Sequence, residues 1–77
     1  MDYCILIAKS LTHAQRMVRL LAQCGIRATA FRAGSSLTQR GCGYAVRIRA
    51  DRWDEVQRCL DRAELHPLDV VWRKGES

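Results

Sequence analysis

Proline is almost missing from this 77-residue chain, which has a single one at Pro67, and glycine is limited to five residues. That scarcity excludes collagen-like and low-complexity readings. A hydrophobic share of 48% excludes disorder as well, because enough apolar side chains are present to offset chain entropy. Long hydrophobic runs are also missing. The apolar run Cys4–Ala8 stops at Lys9, far short of the ~18 residues that a membrane span needs. A secretory signal is not visible, since Asp2 stands where a positive n-region belongs. The expectation is a soluble, cytoplasmic protein with no membrane association. Its length fits one small domain over 1–77, with a frayed tail at 74–77.

Lysine is scarce too. Of thirteen basic residues only Lys9 and Lys74 are lysines, and against eight acidic residues the net charge is +5. A basic balance favours anionic partners, but it bears on association rather than on fold. Cysteine is present four times, at Cys4, Cys24, Cys42 and Cys59, with spacings of 20, 18 and 17 residues. No C-x-x-C and no zinc-binding arm occurs, and His13 and His66 do not sit at ligand spacing from any thiol. No metal and no cofactor are expected, and free thiols are the expected state, as in a reducing compartment. Equally absent are a Ser/His/acid set, a Gly-rich phosphate loop and a carboxylate pair at useful spacing. The chain does not read as an enzyme.

What is present is a clear alternation of elements. Tyr3–Ala8 is apolar on both faces, as in a central strand. Thr12 and Gln15 form a capping-box pattern ahead of a helix whose apolar stripe is Ala14, Met17, Val18 and Leu21. Gly25 is placed to end that helix near Cys24 by taking positive φ. A second strand follows, with Ile26, Ala28 and Ala30 alternating with Arg27, Thr29 and Phe31. The segment 34–41 is a loop by composition. Tyr44, Val46 and Ile48 then alternate with Ala45, Arg47 and Arg49, the cleanest strand signal in the chain. Asp51 is the expected cap of a second helix with Trp53, Val56, Leu60 and Ala63 as its stripe. After Pro67, Leu68, Val70 and Trp72 alternate with Asp69, Val71 and Arg73 as a last strand.

The order β-α-β-β-α-β predicts an α+β ferredoxin-like split β-α-β sandwich: a four-stranded antiparallel sheet with both helices on one face. The uncovered face is expected to carry Arg27, Thr29, Arg47, Arg49, Val71 and Arg73, and so to be wet and positively charged. Trp53 and Trp72 read as core or sheet-edge packing, and His13 and His66 as surface residues without a carboxylate partner.

Among the thiols, Cys4, Cys24 and Cys59 read as structural residues in a strand and two helices. Cys42 differs, because it lies in Arg40-Gly-Cys-Gly-Tyr44 where the loop meets the third strand. Gly41 and Gly43 leave the backbone bare enough for a bulky acceptor to approach. Amides around glycines can form a nest for an anion, and Arg40 and Arg47 would lower a thiol pKa. The competing reading is a tight bulge with a buried cysteine.

The segment Gly41-Cys-Gly-x-Ala-x-Arg47, behind a Ser-rich loop with Ser35 and Ser36, resembles the selenium/sulfur carrier protein-like family. These are short bacterial proteins with a ferredoxin-like core, and the resemblance covers roughly Tyr3 to Arg73. It implies that Cys42 is the carrier atom, holding sulfur or selenium as a persulfide or selenopersulfide, with Arg47 as the matching basic residue. Thr38, Gln39 and Arg40 intervene where the family pattern would place serine near the glycine. The implied partners are a cysteine desulfurase or selenium-donor enzyme and an acceptor enzyme such as selenophosphate synthetase.

Two other readings stand beside this one. RNA-recognition domains share the topology, but they stack bases on aromatics of their central strands. Here the third strand presents Arg47 and Arg49 with Tyr44 on the opposite side, and no Lys/Arg-Gly-Phe/Tyr signature occurs, so nucleic acid is not an expected partner. The other is a ligand-sensing or dimerisation module in which the open sheet face works and Cys42 is incidental. The small size leaves room for a homodimer.

Overall fold

The computed structural model of the chain describes residues 2–34 and 43–74. Its elements run β1 (Tyr3–Ala8), α1 (Leu11–Gln23), β2 (Thr29–Ala33), β3 (Gly43–Arg49), a 3-10 turn (Ala50–Arg52), α2 (Trp53–Ala63) and β4 (Asp69–Arg73). The strands form one antiparallel sheet in the order β2-β3-β1-β4. This is the expected α+β ferredoxin-like sandwich. β1 lies inside the sheet between β3 and β4, which accounts for a strand that is apolar on both sides. Of the expected tail, 75–77 lies outside the described residues.

Helix α1 starts earlier than the capping-box reading places it. Ser10, not Thr12, is the N-cap: it is extended, and its side chain accepts the His13 N–H at 3.1 Å. His13 returns the favour one residue upstream, its Nδ1 accepting the Lys9 N–H at 2.9 Å. The pair works as a capping box in which an imidazole replaces the usual Glu or Gln. At the other end Gly25 takes φ 79°, as expected, and the Ile26 N–H reaches the Leu21 carbonyl at 2.8 Å. Gly25 N–H bonds the Ala22 carbonyl at 3.0 Å, completing a Schellman closure. Ile26 is thereby buried as the hydrophobic seal of the motif, and strand pairing begins only at Thr29. The expected start of the second strand at Ile26 is corrected for that reason.

Helix α2 also opens differently. Asp51 does not cap it, because its carboxylate accepts from Arg49 Nε at 3.1 Å and Nη2 at 2.7 Å. Both side chains are well exposed, so this pair contributes about 0–1 kcal/mol. The buried stripe of α2 is Val56, Cys59 and Leu60; Ala63, expected in it, is exposed. The helix ends at Glu64, whose φ of 56° places a side chain where glycine is usual. His66, expected to lack a carboxylate, has Asp61 Oδ1 at 3.6 Å from its Nδ1.

The sheet divides the interior into two. On the helix side, Cys4, Leu6 and Ala8 of β1 and Val46 and Ile48 of β3 pack with Ala14, Met17 and Leu21 of α1 and with the α2 stripe. On the opposite side, Ile5, Ile7, Ala33 and Ala45 form a second buried cluster, flanked by Tyr3, Phe31 and Val71. Arg47, Arg49 and Arg73 do lie on that face by register with this cluster, and Arg27 lines a cleft together with Arg47 and Arg49. The expectation of a wholly wet, charged surface is corrected, since Ile5 and Ile7 are each 4% exposed. At the sheet edge Trp72 meets Trp53 of α2 in a T-shaped pair, with centroids 5.2 Å apart and planes at 72°. Trp72 nevertheless stays 54% exposed.

Candidate functional site

The third strand begins at Gly43, which pairs with Ala33 of β2, while the next residue, Tyr44, pairs with Ala8 of β1. Cys42 is bonded directly to Gly43. Cys42, Gly41 and Arg40 themselves, with Ser35 and Ser36, lie outside the described residues. Of the candidate set, Gly43 and Arg47 are described. Arg47 sits four residues along β3, a strand rise of roughly 13 Å from Gly43. Its Cζ lies 5.5 Å from the centroid of the Tyr3 ring. The structure therefore groups Arg47 with Tyr3, Arg27 and Arg49, around a cleft of about 370 Å³.

The remaining thiols have definite places. Cys4 is fully buried in β1, opposite Ile48 on one side and Trp72 on the other. Burial pushes its pKa up to about 11, so at neutral pH it stays a protonated, inert thiol. Cys24 and Cys59 form a disulfide that joins the C-terminal cap of α1 to the buried face of α2. This corrects the expectation of free thiols. The cause is tertiary: packing of α1 on α2 brings the two Cα atoms to 6.6 Å, although their sequence separation is 35. No local spacing signals such a pair. The available hint was that Cys59 falls one turn after Val56 on the buried stripe, while Cys24 ends the neighbouring helix.

Among the described residues no group of three or more His, Cys, Asp or Glu is arranged to hold a metal ion. Nor is any helix of the described residues long and apolar enough to cross a membrane. The Tyr3–Arg27–Arg47 cleft is the feature that sequence reasoning missed. Its signal was the parity of β1, which puts Tyr3 on the same face as the arginines of β3, since Tyr3 pairs with Arg49 and Ile5 with Arg47.

The topology, with both helices on one side of a β2-β3-β1-β4 sheet, defines a small domain of the ferredoxin-like class. Residues 3–71 match the model of the family described as "Putative Se/S carrier protein-like", and the chain belongs to that family. No curated protein matches it.

Proposed function

We propose that the chain is a selenium/sulfur carrier whose cargo travels on Cys42. One observation carries the assignment to this residue: the other three cysteines are committed elsewhere. Cys4 is buried with its pKa raised to about 11, and Cys24 and Cys59 are bonded to each other. Family membership supplies the class of function, and the position of Cys42 beside Gly43 supports an approachable sulfur.

The chemistry is a thiol exchange. The Cys42 thiolate attacks the outer sulfur of a donor persulfide, the donor thiolate leaves, and the sulfane sulfur is now bonded to Cys42. An acceptor thiolate then attacks that outer sulfur and Cys42 leaves as thiolate. Neither step needs an external oxidant or a resolving cysteine, and selenium follows the same route as a selenopersulfide. The donor is a cysteine desulfurase or a selenium-donor enzyme, and the acceptor an enzyme such as selenophosphate synthetase. The chain itself is a carrier rather than an enzyme.

Incubation with a cysteine desulfurase and free cysteine, followed by intact mass spectrometry without reductant, tests this reading. The expected result is a gain of one sulfur that is absent in Cys42→Ser. A gain that survives Cys42→Ser moves the carrier site elsewhere, and no gain in the native chain with an active desulfurase removes the sulfur-carrying role.

A further inference from the structure

The open sheet face is divided by charge. In register, Phe31, Ala45, Ile7 and Asp69 make one row across the four strands, and Thr29, Arg47, Ile5 and Val71 the next. The row after that holds Arg49, Tyr3 and Arg73, with Arg27 just ahead of β2. Arginine therefore collects at the end of the face remote from Gly43. There Asp2, Tyr3, Arg27, Thr29, Arg47 and Arg49 line the 370 Å³ cleft. A cavity of that volume lies within the range of small-molecule sites.

We propose that this cleft binds the phosphate group of a small phosphorylated ligand of mononucleotide size. Arg49 is already partly engaged, because Asp51 accepts hydrogen bonds from two of its guanidinium N–H groups. Arg27 and Arg47 are different: among the described residues neither has an ion-pair partner. The Arg47 Cζ lies 5.5 Å from the centroid of the Tyr3 ring, a cation–π distance that draws the guanidinium to the tyrosine side of the cleft. An aromatic ring supplies no carboxylate to occupy the N–H fork, so a guanidinium held in this way keeps donors for an oxyanion. Thr29, which pairs with Arg47 across the strands, adds a hydroxyl donor. Asp2 opposes binding from the rim, which limits the affinity. The charge also stops after two rows, where Phe31, Ala45 and Ile7 begin. That extent fits one phosphate group rather than a phosphodiester track, which needs successive cations along its length. The proposal is independent of Cys42 and of the carrier reading.

The test is an NMR titration of the full chain, following backbone amides and arginine Nε–H groups. Adenosine 5′-monophosphate, inorganic phosphate, adenosine and a short single-stranded oligonucleotide are the probes. The monophosphate is expected to give saturable shifts at Arg27, Thr29 and Arg47, with inorganic phosphate weaker at the same residues and adenosine silent. Arg27→Gln and Arg47→Gln each weaken binding by about tenfold or more, and Asp2→Asn tightens it. Because Arg27 is exposed and lies off the strands, its variant keeps the native spectrum and the native sulfur loading at Cys42. Three results overturn the proposal: no saturable shift with the monophosphate up to ~10 mM, equal affinity in a folded Arg27→Gln chain, or equal shifts from adenosine. An oligonucleotide that binds tenfold or more tightly than the monophosphate replaces it with a nucleic-acid surface.

Discussion

Removing the Cys24–Cys59 crosslink is the sharpest perturbation that the structure offers. With a sequence separation of 35 between the partners, the loop-entropy relation puts the stabilisation at about 4 kcal/mol. A domain of this length has a total stability of roughly 4–12 kcal/mol, so the bond is a third of the total or more. Cys24→Ser isolates the effect cleanly. Cys24 is exposed, so serine costs little there, and the Cys59 thiol left behind has the Leu20 carbonyl at 3.6 Å to accept its proton. Thermal unfolding followed by far-UV circular dichroism should show Tm lower in Cys24→Ser by about 15–30 °C. Reductant should bring the native chain to the same value and leave the variant unchanged. If native protein unfolds at one temperature with and without reductant, or if Cys24→Ser shifts Tm by less than about 3 °C, the crosslink is not what holds α1 to α2.

Three further outcomes follow from other details. Burial lowers the His13 pKa below 6.5, assisted by the Lys9 and Arg16 charges and opposed by a backbone hydrogen bond at His66. The folded chain therefore binds that proton less readily than the unfolded chain. Its contribution is full above the unfolded pKa and is lost as pH falls through the folded value. Urea midpoints should drop between pH 8 and pH 5, and drop less in His13→Gln, because only neutral Nδ1 can accept the Lys9 N–H; an equal drop in both removes His13 as the cause. Glu64→Gly should raise stability by about 1 kcal/mol, since glycine adopts φ 56° without a Cβ penalty; an unchanged urea midpoint counts against strain there. Cys4 should resist limiting iodoacetamide at neutral pH in the native chain and react only after unfolding, as peptide mapping can check.

Much of the fold was legible because each strand and helix carries its own period. The parity of Tyr44, Val46 and Ile48 against Ala45, Arg47 and Arg49 placed every side chain of β3 on its observed face. Gly25 likewise marked the end of α1 at its observed cap. What escaped was decided by competition between neighbours. Asp51 had a choice between the helix amides and Arg49, and a two-bond guanidinium contact prevailed. Ser10 displaced Thr12 as cap because His13, three residues on, supplied the reciprocal acceptor for Lys9. The open face was misjudged in its centre for a simpler reason. A strand apolar on both sides must place Ile5 and Ile7 opposite Cys4 and Leu6, and the arginines of β3 drew attention away from them. The Cys24–Cys59 bond left only an indirect hint in the helix positions of the two residues, since it depends on how two helices cross. Of the candidate site, the sequence showed the Gly-Cys-Gly segment, whereas the grouping of Arg47 with Tyr3 and Arg27 needed the strand register.

The two indoles carry an optical consequence. They are the chain's only tryptophans, and they touch each other where β4 meets the start of α2. Emission from this protein is therefore a local gauge of that seam, and the edge-to-face geometry should add an exciton couplet to the far-ultraviolet dichroism. Peeling β4 away would abolish the couplet while helix signal persisted. Along β3, the row holding Trp72 lies five residues from Gly43, a span of roughly 17 Å, so chemistry at the opposite end of the sheet should leave the fluorescence almost untouched.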